Sequence, residues 1–450
     1  MAVVSTAHRT GLFVIVLVVF VMSLDVTMLD VLLTDIGRDI GADRTQLAWI
    51  ADSYNISLAG LILLGAGLGG RLGHRRVYLT GLLIFGAGSI WGSFVVDPAS
   101  LIAARTLMGI GAAALAAPSV ALLGQMFTDQ ERPKALATWA AASGIGLALG
   151  PILGGIIMDL SDWRWIFLAM VPMVLAAFLL GRASLPPGGF ASHSRLDIPG
   201  AALSAIAVIP LVAALLQAPD FGWSNPYILA GLGMGIALVI AFALHELRTR
   251  APMIDIRVLR IPMVSAAALA LASAFVGFLG LQFLVALQLR TQFGLGPVEA
   301  GLALAPWAIL YWVGARAGSG LAPNLGAPRV IAIGIAMLGL AFLFLAALAS
   351  LGPIVIAVGM SIAGLGGGFI TPVSVNVMMS APPPALLATS SGLSMIARFG
   401  GGAVGMAVLA SAATTSGGSV SGYLAGALLL LFLGLGATAL MHRARRSRIS

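Results

Sequence analysis

The 450-residue chain contains no cysteine, which rules out a disulfide framework and thiolate ligation of a metal and leaves no mark of redox compartment. Charge is scarce as well: 9% of residues are Asp, Glu, Lys or Arg, against 60% hydrophobic. At a mean hydropathy of +1.05, so much apolar surface cannot be hidden in a water-soluble core, and the chain must be dissolved in lipid. The five histidines (8, 74, 193, 245 and 442) all fall in loops, tails or segment ends, which argues against haem or an intramembrane metal site. The sequence offers no nucleophile constellation and no phosphate loop, so catalysis and ATP-driven transport lack residues, and no cofactor is expected. The net charge of +8 and pI near 10.9 would suit a nucleic-acid binder, but the basic residues are dealt out between apolar segments rather than gathered on one face.

What the chain does have is long apolar runs. A bilayer core about 30 Å thick requires helices of about 20 apolar residues, because lipid offers no partner to bare backbone groups. Fourteen such runs are expected, at 11–33, 47–69, 77–96, 101–127, 134–158, 164–182, 198–217, 226–246, 262–289, 298–321, 329–350, 353–379, 387–411 and 421–441. The first resembles a signal peptide after Arg9, but it is too long and lacks a small-residue cleavage site. With the N-terminus inside, seventeen of the 24 Lys and Arg residues fall on the cytoplasmic side and only Arg38, Arg44, Arg164 and Arg290 outside. The positive-inside rule therefore sets both termini in the cytoplasm.

Two segments 253 residues apart are nearly the same: Gly65-Ala-Gly-Leu-Gly-Gly-Arg-Leu-Gly-His-Arg-Arg-Val77 and Gly318-Ser-Gly-Leu-Ala-Pro-Asn-Leu-Gly-Ala-Pro-Arg-Val330. Each joins two apolar runs, and internal repeats with a substrate path between the halves characterise secondary transporters. Matching run 2 to run 10 leaves runs 7 and 8 over. The organisation expected is six plus two plus six: a first bundle at 1–186, a linker with two inserted helices at 187–260, and a second bundle with a basic tail at 261–450. Polar breaks at Pro186-Pro-Gly-Gly189, His193 to Asp197 and His245 to Arg260 fit those boundaries.

Acids inside the spans are the first suspects for chemistry, because an ionised carboxylate in hydrocarbon is costly. Three qualify: Asp25, Asp30 and Asp52. At 1.5 Å per residue, with helix 1 ending near Leu33, Asp30 lies about 5 Å and Asp25 about 12 Å inside the outer boundary, while Asp52 and Arg105 fall in the same layer. An acid that alternates between pairing with Arg105 and being protonated would serve as a switch. The alternative is interfacial anchoring, with Arg105 snorkelling and Asp30 and Asp52 solvated at the mouth.

The second bundle has only cations within its spans, Arg316 and Arg398, so proton handling should be one-sided. Arg316 is placed to reach cytoplasmic phosphates. Arg398 has no obvious carboxylate, which leaves a bond to helix-end carbonyls or a substrate role. The run Gly146-x-x-x-Gly150-Pro151-x-x-Gly154-Gly155 lines small residues along one helix face and bends it, making either a hinge seal or ordinary small-residue packing. In the turn around Gly67 and Gly73, Arg71, Arg75 and Arg76 can cap helix C-termini and lock an inner gate, or be purely topogenic. Trp307, Tyr311 and Trp312 offer an aromatic substrate wall or core packing.

With these motifs in place, the chain resembles the fourteen-span drug:proton antiporters of the major facilitator superfamily. Leu24-Asp-Val-Thr27 looks like the family's helix 1 signature, which implies that Asp25 is the proton site. Trp49-Ile-Ala-Asp-Ser-Tyr54, Arg105 with Gly109 and Gly111, Gly146 to Gly155 and Trp163-Arg-Trp-Ile-Phe167 are similar to its other motifs. The chain departs from the pattern at Gly70, where an acid is usual, at Asp30 for Asn, Met108 for Gln and Thr34 for Pro. The resemblance implies a proton-coupled exporter of hydrophobic or amphipathic small molecules in a bacterial inner membrane, a monomer whose partners are its substrate, protons and the lipid bilayer. A dedicated lipid or metabolite exporter with weak coupling, and a non-transporting membrane sensor, are the other readings.

Overall fold

The computed structural model describes residues 6–128, 130–187, 198–249, 255–383, 386–415 and 418–446, and all of its regular structure is helical. The fifteen α-helices are α1 (Thr6–Ile40), α2 (Arg44–Leu72), α3 (His74–Gly92), α4 (Pro98–Met126), α5 (Arg132–Leu160), α6 (Trp165–Ser184), α7 (Ile198–Phe221), α8 (Pro226–Arg248), α9 (Pro262–Phe275), α10 (Leu281–Thr291), α11 (Pro297–Leu325), α12 (Ala327–Leu348), α13 (Pro353–Ser380), α14 (Leu387–Thr415) and α15 (Ser419–Arg446). A π-turn at Val276–Gly280 joins α9 to α10, so one rod corresponds to the expected run 262–289. Among the described residues, eleven helical segments are long and apolar enough to cross a membrane by length and composition. The residues His193, Arg195, Arg250 and Arg448 lie outside the described residues, as does most of the first polar break.

Local signals set the helix starts. Asp43 caps α2 in a reciprocal box with Gln46. Asp97 caps α4 ahead of Pro98, and Asn225 caps α8 ahead of Pro226. Helix α1 runs past the expected end near Leu33 to Ile40. Its extra turns are held from α6: Asp39 accepts hydrogen bonds from Trp163 Nε1 at 3.1 Å and Arg164 Nη1 at 2.8 Å. Those bonds, with the Arg164 charge, keep the Asp39 carboxyl below the usual carboxylate range. Arg164 also donates to the Val95 carbonyl in the connection between α3 and α4, so the Trp163-Arg164 pair, just ahead of α6, ties the end of α1 to that connection.

Packing repeats with the sequence. In the first six helices α1 lies on α5 and α6, α4 on α2 and α3, and α3 on α6; in the last seven, α9 and α10 forming one rod, α9 lies on α14 and α15, α13 on α11 and α12, and α12 on α15. The repeated motif folds alike in both copies. Gly73 (φ 92°) and Gly326 (φ 82°) turn the chain between α2 and α3 and between α11 and α12, in a left-handed conformation that side chains rarely adopt. Gly65 and Gly318, the first residues of the motif, press their helices onto the backbones of α4 and α13. Helices α7 and α8 pair with each other, and α7 rests on both α2 and α14. Large apolar side chains such as Tyr227, Leu428 and Phe432 point outward, as a lipid-facing surface requires.

Candidate functional site

A cavity of about 90 Å³ lies where α1, α2, α4 and α5 face the α9 π-turn and α14. Its wall is mostly apolar, with Ser23, Tyr54, Asn55, Ser119, Ser143 and Arg398 as the polar groups that converge on it. Pro151 and Ile152 of α5 lie against Gly301 of α11, and Gly124 of α4 lies against Leu387 of α14. The two sets of helices therefore touch on both sides of the cavity along the helix axes.

Beside this cavity, Arg105 of α4 donates from Nη1 to Asp25 Oδ2 of α1 at 2.6 Å, and both side chains are sealed from solvent, at 1% and 0% exposure. The guanidinium also stacks over the Tyr54 ring at 4.6 Å and reaches the Ile50 carbonyl at 3.4 Å. Glycines allow this approach: a methyl at Gly109, one turn from Arg105, would come within 2.5 Å of the Tyr54 carbonyl, so α2 and α4 meet backbone to backbone. Asp25 Oδ1 has no hydrogen-bond partner among the described residues. Of the other layer residues, Asp30 is exposed, about 7.5 Å farther along α1, and Asp52 is half-buried on α2.

The glycine face of α5 has a specific occupant, α1. Methyl groups at Gly146, Gly150 and Gly154 would strike Phe20, Thr27 and Met28 in turn, a spacing of four residues that tracks one helix face. Pro151 points away from this seam toward α11, and Gly155 is half-buried. Helix α5 thus binds the helix that carries Asp25 on one side and the second half of the molecule on the other.

At the opposite end, Arg75 Nη2 donates to the Arg182 carbonyl at 2.5 Å, capping the last turn of α6. Arg71 is half-buried, Arg76 exposed, and Gly67 half-buried at the foot of α2. His74 packs on Gly69, its Nδ1 without a hydrogen bond among the described residues, and burial pushes its pKa down to about 4.

The aromatic trio of α11 divides. Trp307 and Tyr311 are buried behind Phe278, with ring centroids 4.5 and 5.9 Å away, so Phe278 forms the cavity wall and they brace it. Trp312 is on the surface under Arg316, 4.8 Å from its ring. Arg398 bonds no helix-end carbonyl among the described residues. Its guanidinium is held between the rings of Trp139 at 4.4 Å and Phe275 at 4.6 Å, with Ser143 Oγ at 3.4 Å. Sequence reasoning passed over Ser23, Trp139, Ser143, Phe275 and Phe278, which have no motif; the pair Gly277 and Gly280 beside two phenylalanines was the available signal for the π-turn, a feature frequent at functional sites.

The family profile described as Major Facilitator Superfamily matches residues 15–200 and 198–406. The puromycin resistance protein pur8 of Streptomyces alboniger is 34% identical over 298 residues, spanning 66% of this chain and 59% of that protein's length. The cephamycin export protein CmcT of Amycolatopsis lactamdurans is 32% identical over 419 residues, 90% of this chain and 84% of that protein. In fold, the chain superposes on the proton:xylose symporter XylE with a TM-score of 0.71 at 13% identity, covering 96% of this chain and 95% of that one.

Proposed function

Since the chain belongs to the Major Facilitator Superfamily of membrane transporters, we propose that it is a proton-coupled exporter of hydrophobic or amphipathic small molecules. It crosses a bacterial plasma membrane fourteen times with both termini in the cytoplasm. Residues 1–186 and 261–450 form the two six-helix bundles, and 187–260 carries the inserted pair. The bundles alternate access to the central cavity by rocking about the seams that α5 makes with α11 and α14 with α2.

The observation that supports this most is the buried Asp25–Arg105 pair set against the cavity, whose wall includes the neighbouring Val26 and Tyr54. Asp25 takes the proton. Ionised, it ties α1 to α4 through Arg105; protonated, it releases the cation and loosens that tie. Asp30 and Asp52 stand on the proton's route from the outer surface. Inward flow of one proton supplies about 2.3 kcal/mol per 100 mV of membrane potential, plus any pH gradient.

The small-residue face of α5 carries α1 with it as the outer side opens and closes, and the turn of Gly67, Arg71, Gly73, Arg75 and Arg76 closes the inner side. Gly70 removes an acid from that turn, so the inner closure rests on capping such as Arg75 to Arg182 rather than on a charge relay. That loss favours, as a second reading, a dedicated lipid or metabolite exporter with weak coupling.

Dye or drug efflux from everted vesicles bearing wild type or Asp25→Asn, with a pH gradient imposed and then collapsed, tests the reading. Flux should need both the gradient and Asp25. Gradient-dependent flux that survives in Asp25→Asn would move the proton site to Asp30 or Asp52, and flux indifferent to the gradient would favour the second reading.

A further inference from the structure

We propose that the central cavity selects small organic anions with a bulky apolar body, the Arg398 guanidinium taking the negative head group and the aromatic wall taking the body. This rests on the reading of that cavity as the substrate site and names the class of substrate.

Arg398 is a permanent cation, since a guanidinium does not lose its proton in a protein. It is 5% exposed and forms part of the cavity wall. Its hydrogen bonds among the described residues are few: Nη2 to Ser143 Oγ at 3.4 Å and Nη1 to Met395 Sδ at 4.0 Å, both long, while Nε has no partner among them. Ser143 is itself engaged with Ser23 Oγ at 2.9 Å. Most of five strongly polar N–H donors thus remain unspent in an apolar cavity, which is the state of a group awaiting an acceptor.

No carboxylate among the described residues forms an ion pair with Arg398. The buried acid two residues along α1 from Ser23, Asp25, is paired with Arg105. That pair cancels itself, so the cavity carries the single uncompensated charge of Arg398. A cationic ligand would meet repulsion with no acid in the wall to offset it.

Three rings of the wall already hold protein cations. Trp139 and Phe275 already flank the Arg398 guanidinium, and Tyr54 already faces that of Arg105. Stacked between two rings, the planar group presents its N–H edge, the geometry that suits a carboxylate, sulfonate or phosphate. Phe278, Leu147 and Phe399 supply apolar wall for the body.

The test uses the purified full-length chain and three probes of one shape: naphthalene-1-acetate, its methyl ester, and 2-(1-naphthyl)ethylammonium. Binding is measured by calorimetry in detergent, and flux of the same probes in proteoliposomes. The wild type should bind the acid at least tenfold more tightly than the ester, about 1.4 kcal/mol, and the ammonium most weakly. Arg398→Gln should erase the difference between acid and ester, and Arg398→Lys should keep a reduced preference for the acid. Should Arg398→Gln fail to fold, the order of the three probes on the wild type decides by itself.

Equal binding of acid and ester, preference for the ammonium, or binding of none overturns the proposal. Export of ester or ammonium without the acid would leave the transport reading standing and sink this one. Binding of the acid that depends on Arg398, with no probe transported, would do the reverse.

Discussion

Neutralising one member of the Asp25–Arg105 pair should cost more than neutralising both. At an effective dielectric of about 20, two unit charges about 4 Å apart attract by about 4 kcal/mol, and the full burial of both side chains leaves no water to replace a lost partner. Asp25→Asn leaves the Arg105 cation with neutral partners only, the Asn amide oxygen, one tyrosine ring and one long bond to the Ile50 carbonyl; Arg105→Gln leaves the carboxylate with a neutral amide in place of its cation. Each single variant should lose about 2–4 kcal/mol, toward the low side of the range for broken buried pairs because Asn and Gln keep a hydrogen bond. The double variant Asp25→Asn/Arg105→Gln should recover at least half of the summed loss, a coupling of about 2 kcal/mol or more. Chemical unfolding in mixed micelles, followed by tryptophan fluorescence, reads all four proteins. Strictly additive losses would refute the pairing as an energetic unit. The same double variant separates structure from coupling: it should be well folded and yet show no proton-driven efflux, and gradient-dependent transport by it would remove Asp25 from the proton path.

Alanine along the seam between α5 and α1 should destabilise in the order Gly150, then Gly146, then Gly154, by about 1–3 kcal/mol at the worst position, because the added methyl overlaps the Thr27 hydroxyl at the first and meets the Met28 carbonyl only at 3.2 Å at the last; melting temperatures in detergent give the order. At the two repeat turns, Gly73→Ala and Gly326→Ala should each cost roughly 1–3 kcal/mol through positive φ, with matching losses in the two copies as the check. His74, held neutral by burial with a pKa of about 4, makes stability full above about pH 6.5 and falling as pH drops toward 4, by about 3 kcal/mol in all; His74→Phe should flatten that part of the pH–stability curve. Arg164→Ala should free the C-terminal end of α1, seen as faster amide exchange over 35–40, with a stability loss of about 1 kcal/mol because the ion pair is partly exposed.

Composition and spacing determined the solvent of this protein, its helical class and the places where helices begin, since lipid leaves unbonded backbone nowhere to go and Asp43, Asp97 and Asn225 act within one turn. The repeat at Gly65 and Gly318 was visible as sequence identity, and with it the pairing of α2 with α11. Rise per residue alone put Asp25 and Arg105 in one layer, and the glycines of α5 announced a close neighbour. Which helix that neighbour is, α1, only the tertiary structure decided. It also carried α1 on to Ile40 for the sake of Asp39 and Arg164, opened a π-turn at Val276, set Trp307 and Tyr311 behind Phe278 instead of in the wall, and clamped Arg398 between rings from α5 and α9. The reason is rotational. In a helix apolar on every side, periodicity does not mark which face turns inward, so contacts between residues 80 or 255 positions apart in the chain, such as Asp25 with Arg105 and Ser143 with Arg398, are settled by how the helices pack and by nothing local.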